Sequence, residues 1–182
     1  MSNTLKALAG IGIAVLLCGR ANAQGSGKEA RAANEKGPVQ PAQGLVSQRN
    51  LSLTMAKSIA EAALAACQAK GYHTAVAVVD RAGQVMVILR DEQASAQTAE
   101  MARRKAYTAR MFRTTTLEFQ KRTAEGAYAA QRDIADILAL GGGAPILAGN
   151  DTVGGVGSSG SSQEQDDACA KAGIAKVADL LK

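Results

Sequence analysis

Residues 74–89 read Thr74-Ala75-Val76-Ala77-Val78-Val79-Asp80-Arg81-Ala82-Gly83-Gln84-Val85-Met86-Val87-Ile88-Leu89. Two apolar runs rich in β-branched residues flank a polar turn. Such side chains suit a pleated surface, and Asp80-Arg81-Ala82-Gly83 supplies turn chemistry, so the stretch predicts a β-hairpin. Upstream, Leu51–Lys70 predicts a helix: Met55, Ile59, Ala62, Ala63 and Ala66 recur at three and four, and Gly71 stops it. Downstream, Ser95 is placed to cap a helix running to about Arg110. Its strip Ala99, Ala102, Ala106, Ala109 suits close approach to a neighbour.

The second half repeats the plan. Thr115 and Glu118 fit a capping box for a short helix. Tyr128–Leu140 predicts another helix, with Ile134, Ile137 and Leu138 facing inward, and Gly141-Gly142-Gly143 breaks it. Ala144–Ala148 and Thr152–Gly157 flank Gly149-Asn150-Asp151 as a second hairpin. Ser162 with Gln165 caps a final helix, and Ala170, Gly173, Ile174, Val177 and Leu181 form its inward face. Two hairpins among helices predict an α/β (α+β) fold with a mostly antiparallel sheet, its first and last helices on one face.

The N-terminus carries an export signal. Met1–Lys6 has one positive charge, Ala7–Cys18 is apolar, and Ala21-Asn22-Ala23 is a small-x-small cleavage pattern. A bilayer span needs about 20 apolar residues, so residues 1–23 are expected to be a cleaved signal peptide rather than an anchor. Bulky Leu17 disfavours lipoprotein processing at Cys18. Residues 24–44 read as a flexible leader, and residues 45–182 as one folded domain, periplasmic or secreted. The net charge is +5. Lys6 and Arg20 lie in the signal segment, which leaves 19 basic against 16 acidic side chains. That balance, with aromatics at 3%, argues against nucleic acid as partner. No membrane insertion is expected after signal cleavage. Cleavage leaves Cys67 and Cys169, either a disulfide across the domain or two buried thiols.

His73 is the sole histidine. That excludes a zinc site of several imidazoles; one imidazole still suffices as a haem axial ligand. Taken alone, it reads first as a strand-end residue with no special role. Arg103, Arg104, Lys105, Arg110 and Arg113 form a basic cluster able to grip propionates, carboxylates or phosphates, or to serve as a solvated face. Glycines at 141–143 and 154–160 can expose backbone N–H groups to an anion or simply permit tight turns. No Lys follows Gly160, so this is not a nucleotide P-loop.

Taken together, Thr74–Asp80 with Gly83 and Arg90-Asp91, Lys105-Ala106-Tyr107-Thr108-Ala109, Gly141–Ile146, and Gly154–Gly160 with Gln165-Asp166 resemble the haem-binding HbpS/GlcG family. The resemblance runs over about Leu51–Leu181. It implies a profilin-like fold, self-association into a homo-oligomer, and haem binding in some exported members. A related domain is the C-terminal domain of PduO-type corrinoid adenosyltransferases. The chain departs from the family pattern at Arg90-Asp91-Glu92-Gln93 and at Gly157-Ser158-Ser159-Gly160. The expectation is a binding protein more than an enzyme: haem on His73, with Thr115 as a second candidate contact and Arg103, Lys105 or Arg110 on the propionates. One alternative is a small anionic ligand held by Arg90, Lys105, Thr108 and the loop Gly141, Gly142, Gly143. The other is a structural oligomerisation domain.

Overall fold

The structure is a computed structural model that describes residue 44 and residues 47–182. The expected signal peptide (1–23) and all of the expected leader (24–44) except Gly44 lie outside the described residues. Helix α1 (Leu53–Gln68) starts at Ser52, whose hydroxyl accepts from the Met55 N–H at 3.2 Å, and the chain turns at Gly71 with φ +78°. Strands β1 (Ala75–Val79) and β2 (Val85–Arg90) follow. Asp80 Oδ1 accepts from the N–H groups of Ala82 and Gln84, an aspartate-stabilised turn. Then come α2 (Thr98–Phe112), α3 (Thr116–Arg122), β3 (Gly143–Ala148), β4 (Asp151–Ser159) and α4 (Gln163–Ala175). Two of the three predicted capping residues act: Thr115 accepts from Glu118 N–H and Ser162 from Gln165 N–H.

The four strands lie in the order β2-β1-β4-β3, with every pairing antiparallel. The fold is α+β, as the two hairpins predicted. Strand β1 is buried on both faces. Val76 and Val78 join Ile59, Ala63, Ile146, Val156 and Ala170 in a core beneath α1 and α4. Ala75, Ala77 and Val79 face Ala102 and Ala106 of α2 on the other side. Strand β4 makes the second contact possible by lacking side chains. A Cβ on Gly157 would lie 2.2 Å from the Ala102 carbonyl oxygen, and one on Gly155 2.3 Å from that of Ala106. The helix therefore rests on bare backbone, which short side chains on α2 complement.

Cys67 and Cys169 are joined by a disulfide, Cα–Cα 5.6 Å, tying α1 to α4 across 102 residues. In the chain-entropy account such a loop contributes about 4–5 kcal/mol.

Three local expectations are corrected. Residues 128–140 do not form a helix: a 3₁₀ helix covers Gly126–Asp133, and the chain then runs irregularly. Asp136 takes φ +67°, a backbone state an α-helix cannot include. Ile137 is buried, but Ile134 is exposed. Arg132 instead reaches back to Thr123 Oγ1 and the Gln120 carbonyl, and Arg104 donates to the Ile137 carbonyl. Ser95 does not cap α2; its carbonyl accepts from Thr98 N–H and Oγ1, and the helix starts three residues later. The buried face of α1 is set by Ala56, Ile59, Ala60, Ala63 and Cys67, one position on from much of the predicted stripe.

Candidate functional site

The hairpin register builds the surroundings of His73. Ala75 pairs with Arg90, and beyond the ladder the Asp91 N–H donates to the Thr74 carbonyl. This brings Asp91 beside His73, Nδ1 to Oδ1 at 3.1 Å. The carboxylate is buried, 4% exposed, while the imidazole is 44% exposed. Gln68 at the end of α1 donates to Asp91 Oδ2 at 2.8 Å, and the Gln93 N–H to Oδ1 at 2.9 Å. The Gln68 hydrogen bond first, then the Gln93 N–H, with His73 adding a smaller share, outweigh burial and lower the Asp91 pKa from 3.8 to about 2. An anionic acceptor fixed at Nδ1 holds the proton there and presents the Nε2 lone pair outward, the arrangement that orients ligating imidazoles. Among the described residues, no group of three or more His, Cys, Asp or Glu side chains converges as a metal site.

The cationic candidates are not gathered around that ring. Lys105 is sealed in the interior, its Nζ 2.9 Å from both Asp166 Oδ2 and the Ser158 carbonyl; both side chains are at most 2% exposed. Burial pushes the Lys105 ammonium below its ordinary value, against the pull of Asp166. Asp166 also accepts from Ser161 Oγ and N–H. The Lys105 charge is met by Asp166 inside the fold, at the wall of a cavity. Arg103 forks onto Glu100 and also donates to Asp136 at 2.6 Å. Those bonds, Glu100 first, raise its pKa. Arg110 lies against Gly155, which pairs with Val79, at the end of β1 away from His73.

Members of the small-anion set also have partners within the fold. Arg90 Nη1 donates to the carbonyls of Asp91 and Ala94, bracing the loop after β2. Thr108 Oγ1 donates to the Arg104 carbonyl and accepts from Leu138 N–H. The Gly141 N–H is taken by Gln163 Oε1 and that of Gly143 by Thr116 Oγ1. Gly142, at φ +119°, is needed for space: a Cβ there would lie 2.6 Å from the Ser158 carbonyl oxygen and 2.9 Å from Lys105 Nζ. Crowding thus accounts for the glycine at 142. Thr115 caps α3.

Three cavities open on the described surface. One of about 370 Å³ is bounded by Gln48, Asn50, Arg81, Ala82 and Arg110. A second of about 260 Å³ adjoins Met101, Ser161 and the Lys105–Asp166 pair. A third of about 230 Å³ lies by Leu51, Met55 and Leu180. None is lined by His73. No helix among the described residues is long and apolar enough to cross a membrane.

A family model described as "Haem degrading protein HbpS-like" matches residues 51–175. The chain belongs to the HbpS-like family. Among solved structures, this HbpS-like chain is similar to a double mutant of HbpS from Streptomyces reticuli, at 38% identity and TM-score 0.70, covering 76% of this chain and 95% of that one. It is also similar to a structure described as a PduOC:Heme complex, at 28% identity and TM-score 0.63, covering 70% and 95%. A Klebsiella pneumoniae protein, ORFY, at 22% identity and TM-score 0.70, covering 76% and 98%, shares the fold. A 15.0 kDa protein of Citrobacter freundii encoded between dhaT and dhaS is 29% identical over 119 residues, 64% of this chain and 84% of that one.

Sequence reasoning missed the partners more than the candidates. Asp91 was legible, because a hairpin that aligns Ala75 with Arg90 sets the flanking residues side by side. Asp166 stands in the family-like block Gln165-Asp166, but its pairing with Lys105 is long-range, and nothing local in the sequence marks Gln68.

Proposed function

We propose that this HbpS-like chain is an exported haem-binding protein that acts as a homo-oligomer, serving haem sensing, storage or transfer, with His73 Nε2 as an axial ligand to the iron. The observation that carries the proposal is the half-exposed imidazole oriented by a buried, anionic Asp91. Haem supplies the redox and ligand chemistry; the chain supplies ligation, orientation and cover. Asp91 and Gln68 hold the ring, and a second copy covers the porphyrin face that one protomer leaves open. Arg103 and Lys105 keep their internal partners, so propionates face water or the second copy. Kinship with the haem-complexed PduOC structure supports the ligand. The signal-peptide pattern and the Cys67–Cys169 disulfide support an oxidising location, periplasmic or secreted.

The test is an absorption titration of the mature chain with hemin. A saturable Soret band is expected, with affinity falling at least tenfold in His73→Ala while the far-UV circular dichroism is unchanged. Identical titrations of the two proteins would refute ligation by His73, and the absence of any saturable band would refute haem binding.

A further inference from the structure

The end of the sheet away from His73 carries positive charge that the described residues leave unanswered. Arg81 in the β1–β2 turn, Arg110 on α2, and Gln48 and Asn50 on the approach to α1 bound the cavity of about 370 Å³. Arg110 Nε is buried and has no hydrogen-bond partner. A buried donor without a partner is costly, more so on a charged group. Burial first, then the nearby Arg81 and Arg113, lower the Arg110 pKa, against the pull of Asp80. Asp80 acts on Arg110 through its charge, while its Oδ1 accepts from two backbone N–H groups of its own turn and no hydrogen bond joins it to Arg110. Arg81 is only loosely held, Nη1 3.5 Å from the Arg49 carbonyl and 3.9 Å from Asp151. Asn50 uses its amide oxygen on the N–H groups of Leu51 and Arg81, so the end of that amide left for a ligand is its NH₂ donor.

We infer that this cavity is a binding site for a small oxyanion, a carboxylate or a phosphate, held by the guanidinium groups of Arg81 and Arg110 with the Asn50 amide as a further donor. Paired guanidinium forks match two oxygens of such a group geometrically as well as in charge. The cavity has room for a small acid and not for a macrocycle. The site is independent of His73 and therefore of the haem proposal.

Calorimetric titrations of the mature chain at constant ionic strength, one with inorganic phosphate and one with malonate, test it and separate the two sources. Saturable binding of at least one anion is expected, weakened tenfold or more in Arg110→Gln and in Arg81→Gln. Arg81→Gln decides the matter if Arg110→Gln fails to fold. Hemin titrations of the folded variants should match the parent. Absence of saturable binding by either anion, or undiminished affinity in the folded variants, would overturn the site.

Discussion

Asp166 and Asp91 are both buried carboxylates, one bound to Lys105 and the other to His73, and the two pairs differ in what each leaves open. The first is at most 2% exposed on either side and is braced by Ser158 and Ser161. It joins α2, β4 and α4 and leaves almost no side-chain surface exposed, at the wall of the cavity of about 260 Å³. The second buries only its carboxylate, and its imidazole is 44% exposed. Similar chemistry thus yields a structural clamp where both partners are sealed, and an oriented ligand where one is not. A charged residue in a family motif is therefore no guide to binding until its partner is known.

The largest expected effect breaks the sealed pair. Lys105→Ala leaves Asp166 uncompensated in the interior and should lower unfolding stability by about 3–5 kcal/mol, read from urea denaturation. Lys105→Met with Asp166→Leu removes both charges and should recover most of that loss. If the double variant were as unstable as the single one, the clamp account would fail. Gly157→Ala tests the seating of α2 next to that pair. Its Cβ would meet the Ala102 carbonyl at 2.2 Å and the Ala106 nitrogen at 2.6 Å, and the overpacking should cost about 1–3 kcal/mol in the same assay. An unaltered midpoint would contradict the close approach.

The open pair predicts smaller changes in stability. The folded-state pKa of Asp91 lies below its ordinary value, about 2 against 3.8. Its contribution is therefore complete above about 3.8 and is lost as pH falls toward 2. Asp91→Asn should flatten that part of the acid-denaturation profile between pH 2 and 5; a profile parallel to the parent's would show that Asp91 is not held as described.

How far the sequence discloses this fold follows from how local each cause is. The hairpins, the Thr115 and Ser162 caps and the small-residue strip on α2 were legible because each depends on a few consecutive residues or a single period. Residues 128–140 were not, because Arg104 binds the Ile137 carbonyl from outside, the segment's own Arg132 reaches back to Thr123, and Asp136 turns it. His73 was legible as a candidate through being the sole imidazole. The Lys105 pairing was not legible because its partner lies 61 residues away. The Arg81–Arg110 cavity is likewise assembled from three separate stretches of chain.

Since His73 is the sole histidine, untagged protein labelled with ¹⁵N gives one imidazole to follow by NMR during titration with diamagnetic gallium protoporphyrin. The account predicts a large displacement of the Nε2 resonance at saturation, with the Nδ1 proton still present. Porphyrin that binds while both ring nitrogens keep their original resonances would contradict it.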